Sequence, residues 1–377
     1  MTHALASSSL RDVLLCFAVA TLGCGGVAPT AGAPDAGDDG SSQDGGAPDS
    51  GGEPGTPATF NVFDAIPQYG IYDSTEPSYT PPAGVLMWSY GTVFVTQLSA
   101  MEQASIGSDL AARVTFLAQC DNYDRLGGLF FISEPKGQVP QPTDARIEIT
   151  RFITPFSDYT QGALATLVYP EADISPYAHA LADPTRDVWV GIAGGSNPVS
   201  TDPCGSAAVS ADFKAVGFKY SVDFVSTKPL APGTSVVLSA LADVSEMSSP
   251  ITGTFTNPGG PIAGHVTVII SGHGSGAGGD EYDFTVDRLS VNGTQIGSFN
   301  TEIDCAPYAK YSPDGNPGIF QNNTNGNPRN WCPGAPVVTH TFPVTLDAGA
   351  NTVSLGLTSS TVPSGSYYPT SINFTSP

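Results

Sequence analysis

Beyond residue 58 the apolar residues of this chain fall mostly at every second position, and Gly, Pro or Asn breaks the pattern roughly every ten residues. A period of two puts alternate side chains on one face of a strand, whereas an amphipathic helix needs a period near 3.6. The clearest cases are Phe218-Lys-Tyr220-Ser-Val222-Asp-Phe224, Val353-Ser-Leu355-Gly-Leu357 and the run from His265 to Ile270. Val291-Asn292-Gly293-Thr294 carries the Asn-Gly signal of a tight hairpin. Only residues 98–110 offer a modest helical candidate. With 43 glycines and 33 prolines as punctuation, the chain reads as all-β, built from many short strands. The Pro/Gly-rich break at residues 226–234 divides it into two antiparallel jelly-roll or β-sandwich domains lying side by side, 58–228 and 229–377. Each is large enough for its own core.

The N-terminus reads as an address followed by a tether. Residues 13–22 are a short apolar run, too brief to span a bilayer, and lead to Thr21-Leu22-Gly23-Cys24. This resembles a bacterial lipobox, with residues 1–23 as signal peptide and Cys24 as the acylated mature N-terminus. Thr21 stands where that motif prefers Leu, and Arg11 is cancelled by Asp12. The expectation is an exported outer-membrane or cell-surface lipoprotein, the alternative a secreted or periplasmic protein. Residues 25–57 hold ten glycines, five prolines, six acids and no aromatic residue. Such a segment buries too little apolar surface to offset its chain entropy, so 24–57 is expected to be a disordered acidic linker.

Charge excludes one class of partner. The formal net charge is −22, with 13 Lys and Arg against 35 Asp and Glu, and the linker supplies only six of the acids. Nucleic acid binding needs clustered cations, so it is not expected. Of six cysteines, Cys16 leaves with the signal and Cys24 is the lipid site. Cys120, Cys204, Cys305 and Cys332 remain, an even number in an exported chain, which favours two disulfides. None has CxxC spacing, so no zinc site is expected.

No Gly-x-Ser-x-Gly elbow, phosphate loop or HExxH motif is present. His179, His265, His273 and His340 are scattered singly. Two carboxylates stand in unusual settings: Asp124, in Cys120-Asp-Asn-Tyr-Asp124-Arg125, and Glu281, which follows the glycine-rich run 271–280 and precedes Tyr282. Two carboxylates from separate domains can meet in a cleft, one protonated and one ionised.

Several blocks together resemble the peptide:N-glycosidase F family. They are Cys120 to Arg125, Glu148-Ile-Thr-Arg-Phe-Ile-Thr-Pro-Phe156, Lys219 to Phe224, Ile270-Ser-Gly-His-Gly274, Glu281-Tyr282, Val291-Asn292 and Asn330-Trp-Cys-Pro-Gly334. They occur in family order over about residues 58–377. The resemblance implies two side-by-side jelly rolls, a fold shared with peptidylglycine hydroxylating monooxygenase, with the active site where they meet. It implies an amidase that cleaves the bond between an asparagine side chain and the innermost N-acetylglucosamine. Asp124 matches the principal catalytic aspartate and Glu281 the essential glutamate. Arg125 matches the neighbouring arginine, placed for a bidentate contact with a carboxylate or sugar oxygen. Arg329, His273, Tyr282 and Trp331 are the other expected substrate contacts. Cys305 and Cys332 match a family disulfide, which leaves Cys120 and Cys204 as a pair by elimination. The implied partner is an N-linked glycopeptide or glycoprotein, acted on by a monomer without cofactor, whose only membrane attachment is the lipid.

Departures from the family pattern accompany the resemblance. A helper glutamate falls on Ala193 and an aromatic residue on Gly195; His273 replaces a tryptophan; Arg329 is shifted by one residue; and the insertion 196–212 carries Cys204. They leave open a second reading, a surface-anchored carbohydrate- or protein-binding module of the same fold with reduced catalysis. A third, a copper-dependent monooxygenase, would need several histidines and a methionine in two sites, which four separated histidines do not offer.

Overall fold

The strict alternation of Phe218 to Phe224 forms the central strand of one sheet, with Phe218, Tyr220, Val222 and Phe224 all turned inward. The computed structural model describes residues 58–376, except 199–203, 206, 247–248, 275–283, 316–329 and 358–365. Its first sandwich holds a sheet ordered β1 (Ala58–Gln68), β10 (Phe218–Ser226), β4 (Ala111–Ala118) and β7 (Thr166–Val168), with β8 (Ala172–Asp173) also on β4. Opposite lies the order β2 (Val85–Trp88), β3 (Val93–Gln97), β9 (Arg186–Gly194), β5 (Leu126–Pro135) and β6 (Ile147–Ile153). The second sandwich packs β11 (Val237–Glu246), β18 (Tyr368–Thr375), β13 (Ile262–Ile270) and β16 (Thr339–Leu346) against β12 (Ile251–Asn257), β17 (Gly349–Gly356), β14 (Val286–Val291) and β15 (Thr294–Asn300). Pairing among these strands is antiparallel throughout.

Sheet neighbours are mostly distant in sequence: β1 pairs with β10, and β11 with β18. Each sandwich therefore closes only when the ends of its own segment meet. The chain leaves the first sandwich at Ser226 and enters the second at Val237, so the Pro/Gly-rich break lies between them. Two large cores follow, one around Phe116, Phe131 and Phe224, the other around Phe255, Val268 and Phe374. Asn292 and Gly293 have φ of 50° and 76°, the positive pair that a type I′ turn between β14 and β15 requires. The helix shrinks to α1 (Ala100–Ser105), opened by a reciprocal capping box between Ser99 and Glu102. Disulfides Cys120–Cys204 and Cys305–Cys332 span 84 and 27 residues and fit a chain that folds in an oxidising compartment. Closing loops of this size stabilises by about 3–5 kcal/mol each in the chain-entropy model.

Two of the quoted sequence blocks, 148–156 and 330–334, meet at the joint between the sandwiches. Strand β6 is an edge strand, and a segment of the second sandwich satisfies its free backbone groups. Ile153 N donates to Ala335 O at 3.0 Å, Gly334 N to Ile153 O at 3.0 Å and Val337 N to Arg151 O at 2.8 Å. Arg151 is fully buried. Its guanidinium grips Glu148 twice, at 2.8 and 2.6 Å, then crosses to Pro369 O at 2.5 Å, Ser271 Oγ at 3.3 Å and Asp243 at 3.2 Å. Ser371 Oγ and Asn373 Nδ2 close the far side of Glu148, the latter on its carbonyl at 2.7 Å. Arg151→Ala would leave the Glu148 carboxylate buried and uncompensated, at a cost of about 3–5 kcal/mol. The expected result is an early urea transition; a midpoint equal to wild type would show that the joint does not depend on this ion pair.

The second sandwich contains one conflict with its own core. Asp287 lies on the inner face of β14 with Leu289 and Val291 and has no solvent exposure. Among the described residues neither carboxylate oxygen meets a donor in hydrogen-bond geometry, and the Thr285 hydroxyl only partly offsets the burial. Burial pushes this carboxyl up to about 7, so the folded state holds the proton more tightly than the unfolded chain. Its stabilising contribution is complete below the unfolded pKa of roughly 4 and is lost as pH rises towards 7. Asp287→Asn should therefore match wild type at about pH 4 and melt above it at about pH 8. Equal melting temperatures at both values would contradict the buried neutral carboxyl.

Candidate active site

Strand β4 ends at Ala118, and the chain turns through Cys120 to Arg125 before β5 begins. Cys120 ties this turn to Cys204 in the inserted segment. The organising group of the turn is Asp121, which is fully buried. It accepts from Arg125 Nε at 2.7 Å and Nη2 at 3.2 Å, from Tyr123 N at 3.1 Å and from Asn197 N at 2.6 Å. The bidentate contact expected of Arg125 is thus made within the turn, and Nη1 makes no hydrogen bond among the described residues. Burial alone would lower the pKa of this guanidinium, but the Asp121 contact and the Asp124 charge more than reverse the effect, so Arg125 is held firmly cationic.

Asp124 is half-buried beside Arg125. The backbone on both sides is fixed: Arg125 N donates to Thr154 Oγ1 at 2.6 Å, Thr154 Oγ1 to Tyr123 O at 3.1 Å, and Thr154 N to Arg125 O at 2.8 Å. Tyr123 is 53% exposed, with Arg125 over its ring at 5.4 Å and Phe156 edge-on at 6.1 Å. A carboxylate beside a fixed cation, with an aromatic ring facing solvent, can bind a polar sugar and act on a proton.

Across the joint, Ser271 to Gly274 begin the glycine-rich run. Gly272 N donates to Asn330 Oδ1 at 2.7 Å, and His273 pairs with Tyr367 through both backbone groups at 2.9 Å. His273 is half-buried, stacked between Trp331 at 5.1 Å and Tyr367 at 5.5 Å, with Nε2 2.9 Å from Ser271 Oγ. Trp331, expected as a substrate contact, lies in the core of the joint. It is 2% exposed, donates Nε1 to Gly272 O at 2.7 Å, and packs with Ile153, Ile269 and Val337. An indole placed between two sandwiches buries more apolar surface than any exposed site allows, and there its N–H still finds a partner. Leu126 packs on the same small core, so the turn bearing Asp124 and the start of the run that leads to Glu281 spring from one cluster. Glu281, Tyr282, Arg329 and Cys24 lie outside the described residues.

The departures also have a structural account. Ala193 on β9 pairs with Val93 and Gly128 and adds its methyl to an apolar cluster of Val95, Phe130, Ile132 and Trp189. A carboxylate there would enter that apolar cluster. Gly195 lies beneath Ile71: a Cβ at this glycine would fall 1.7 Å from Ile71 Cγ2. Cys305 and Cys332 form a buried knot with Ala335 at the joint. Asp121 is the residue that sequence reasoning passed over; a carboxylate four positions before Arg125 and directly after a cysteine was the available signal. No group of three or more metal-ligating side chains converges among the described residues.

Comparisons with known proteins agree with this architecture. Residues 244–373 match the family of the C-terminal domain of peptide-N-glycosidase F. The structure of PNGF-II is similar at a TM-score of 0.63 and 16% identity, covering 85% of this chain and 65% of that one, so the chain spans less than two thirds of PNGF-II. Recombinant peptide:N-glycanase F aligns at a TM-score of 0.55 and 16% identity over 85% of this chain and 95% of that chain. PNGase F from Flavobacterium meningosepticum, described as a glycosylasparaginase, gives 0.56 and 16% over 85% and 96%. No curated protein matches by sequence. At such identities the structural likeness is one of fold, while the family match rests on the second sandwich. Residues 244–373 thus match the C-terminal domain family of peptide-N-glycosidase F, and the two sandwiches together have the fold of these proteins.

Proposed function

We propose that this protein is an amidase that hydrolyses the linkage between asparagine and N-acetylglucosamine in N-glycosylated peptides or proteins. The observation that carries this reading is the shared cluster of Leu126, Ile153, Ile269 and Trp331, from which both carboxylate-bearing segments leave the two sandwiches at their joint. The site lies between an N-terminal domain, 58–228, and a C-terminal domain, 229–377. Asp124 takes a proton from water, and the water oxygen bonds to the asparagine Cγ. The Cγ–N bond then breaks, and the departing glycosylamine nitrogen takes up a proton, for which Glu281 is the donor. The products are an aspartate in the peptide and a free glycosylamine. Arg125, held by Asp121, keeps a fixed positive charge beside Asp124. The two disulfides and the Cys24 lipobox support export, with residues 24–57 as a tether between an acylated cysteine and the folded domains. A peptide bearing a glycan is a partner that so acidic a chain can accept, and nucleic acid is not.

The test is incubation of a glycopeptide with the full chain, followed by mass spectrometry of the freed peptide. The expected product carries aspartate where the substrate carried asparagine. Asp124→Asn should lower release by about a hundredfold or more. Release by neither protein across several glycan classes would replace the amidase with the binding module, which Ala193 and the closed position at Gly195 favour. Asp121→Asn should leave Arg125 without its charged partner and lower kcat/KM by about a hundredfold through misplacement of the site. An unchanged kcat/KM would show that the clamp serves stability alone.

A further inference from the structure

Residues 69–73, from a part of the chain that no motif singles out, pair with Ser196, whose neighbour Asn197 contacts Asp121 of the candidate site. They are held unusually firmly for a surface turn. Ser196 N donates to Tyr69 O at 3.0 Å and Ile71 N to Ser196 O at 2.7 Å, an isolated parallel bridge centred on Gly70 and Ser196. Asp73 closes the turn on itself: its Oδ2 accepts from Gly70 N at 3.0 Å, and its N donates to Gly70 O at 3.1 Å. Tyr69 is buried against Tyr79, and Ile71 rests on Gly195, which has no side chain to keep it away. At the tip Tyr72 is 65% exposed.

The turn is coupled to the chemistry by a short path. Ser196 holds Ile71, the next residue Asn197 donates to Asp121, and Asp121 holds Arg125. The Tyr72 phenol is close enough to Arg125 to affect its charge electrostatically. An exposed tyrosine alone means little. One fixed on a rigid turn whose hydrogen bonds lead through Ser196 and Asn197 to the Asp121–Arg125 clamp is placed as recognition sites place aromatic rings. Such a ring offers a flat apolar face with little conformational entropy to lose, and the less polar face of a pyranose ring matches it.

We propose that Tyr72 contacts substrate, stacking on an N-acetylglucosamine of the glycan stem, and that the bare surface of Gly195 exists to let the 69–73 turn bring it there. The ligand class is an N-acetylated amino sugar, with the ring on Tyr72 and a sugar oxygen on Arg125 Nη1. For the position of that sugar in a reaction, the proposal rests on the amidase reading.

The experiment measures binding of N,N′-diacetylchitobiose to the full chain by calorimetry, alongside release from a glycopeptide. Tyr72→Ala should weaken chitobiose binding by about tenfold and raise KM similarly with kcat nearly unchanged, while Tyr72→Phe should retain both. Gly195→Ala should weaken binding without touching Tyr72, because its Cβ expels Ile71 and moves the turn. Melting temperatures equal to wild type for the Tyr72 variants would confirm that they fold. Wild-type affinity in Tyr72→Ala, or no chitobiose binding by the wild type, would overturn the proposal. Chitobiose binding that depends on Tyr72 without glycopeptide release would uphold it and remove the amidase reading. Release indifferent to Tyr72 would do the reverse.

Discussion

A guanidinium removed entirely from water is tolerable only where every neighbour compensates it, and Arg151 sits in such a place. Glu148 neutralises it from three residues earlier on the same strand, while Pro369, Ser271 and Asp243 approach from the second sandwich. The contact is therefore made when both sandwiches are formed and docked. Backbone pairing of β6 with residues 334–337 adds direction to that demand, because hydrogen bonds along an edge strand fix register as well as proximity. The same pairing covers an edge that would otherwise be open to other chains.

The candidate site depends on this joint. Ser271, which takes one of the Arg151 contacts, also contacts His273, and His273 stacks on Trp331. Trp331 in turn packs against Ile153 of β6. The start of the glycine-rich run is thus held from beneath by the elements that lock the sandwiches together. On the other side, Asp121 and the Cys120–Cys204 disulfide do the same for the turn that bears Asp124 and Arg125. Rigid support beneath short irregular loops is how a β-scaffold fixes reactive groups while its strands stay regular.

Small residues on β9 and directly after it have a part in this arrangement. Ala193 and Gly195 mark places where a larger side chain would meet the apolar cluster or the 69–73 turn. The turn lies over the sheet end because nothing projects from it. What reads in sequence as missing side chains is, in the fold, room for another segment.

Much of the architecture follows from local pattern alone. Period-two runs such as Phe218 to Phe224 become strands because alternation decides which side chains can be buried together. Asn292-Gly293 becomes a tight turn because both residues accept positive φ. Composition likewise separates residues 24–57 from anything able to build a core. Asp124 and Arg125 lie in the turn before β5 and His273 in the loop after β13, both beside the joint. Their partners were not legible. A sequence shows that Arg151 and Trp331 stand in distinctive blocks, but local pattern carries no information about contacts made across 120 or 218 residues. For that reason Trp331 was expected to touch substrate, whereas it packs in the core of the joint. The clamp of Asp121 on Arg125 was equally hidden, and residues 69–73 drew no notice at all. Alternation and turn chemistry act between near neighbours and were readable in the chain; which distant surfaces close on one another is decided by packing, and only the tertiary structure contains it.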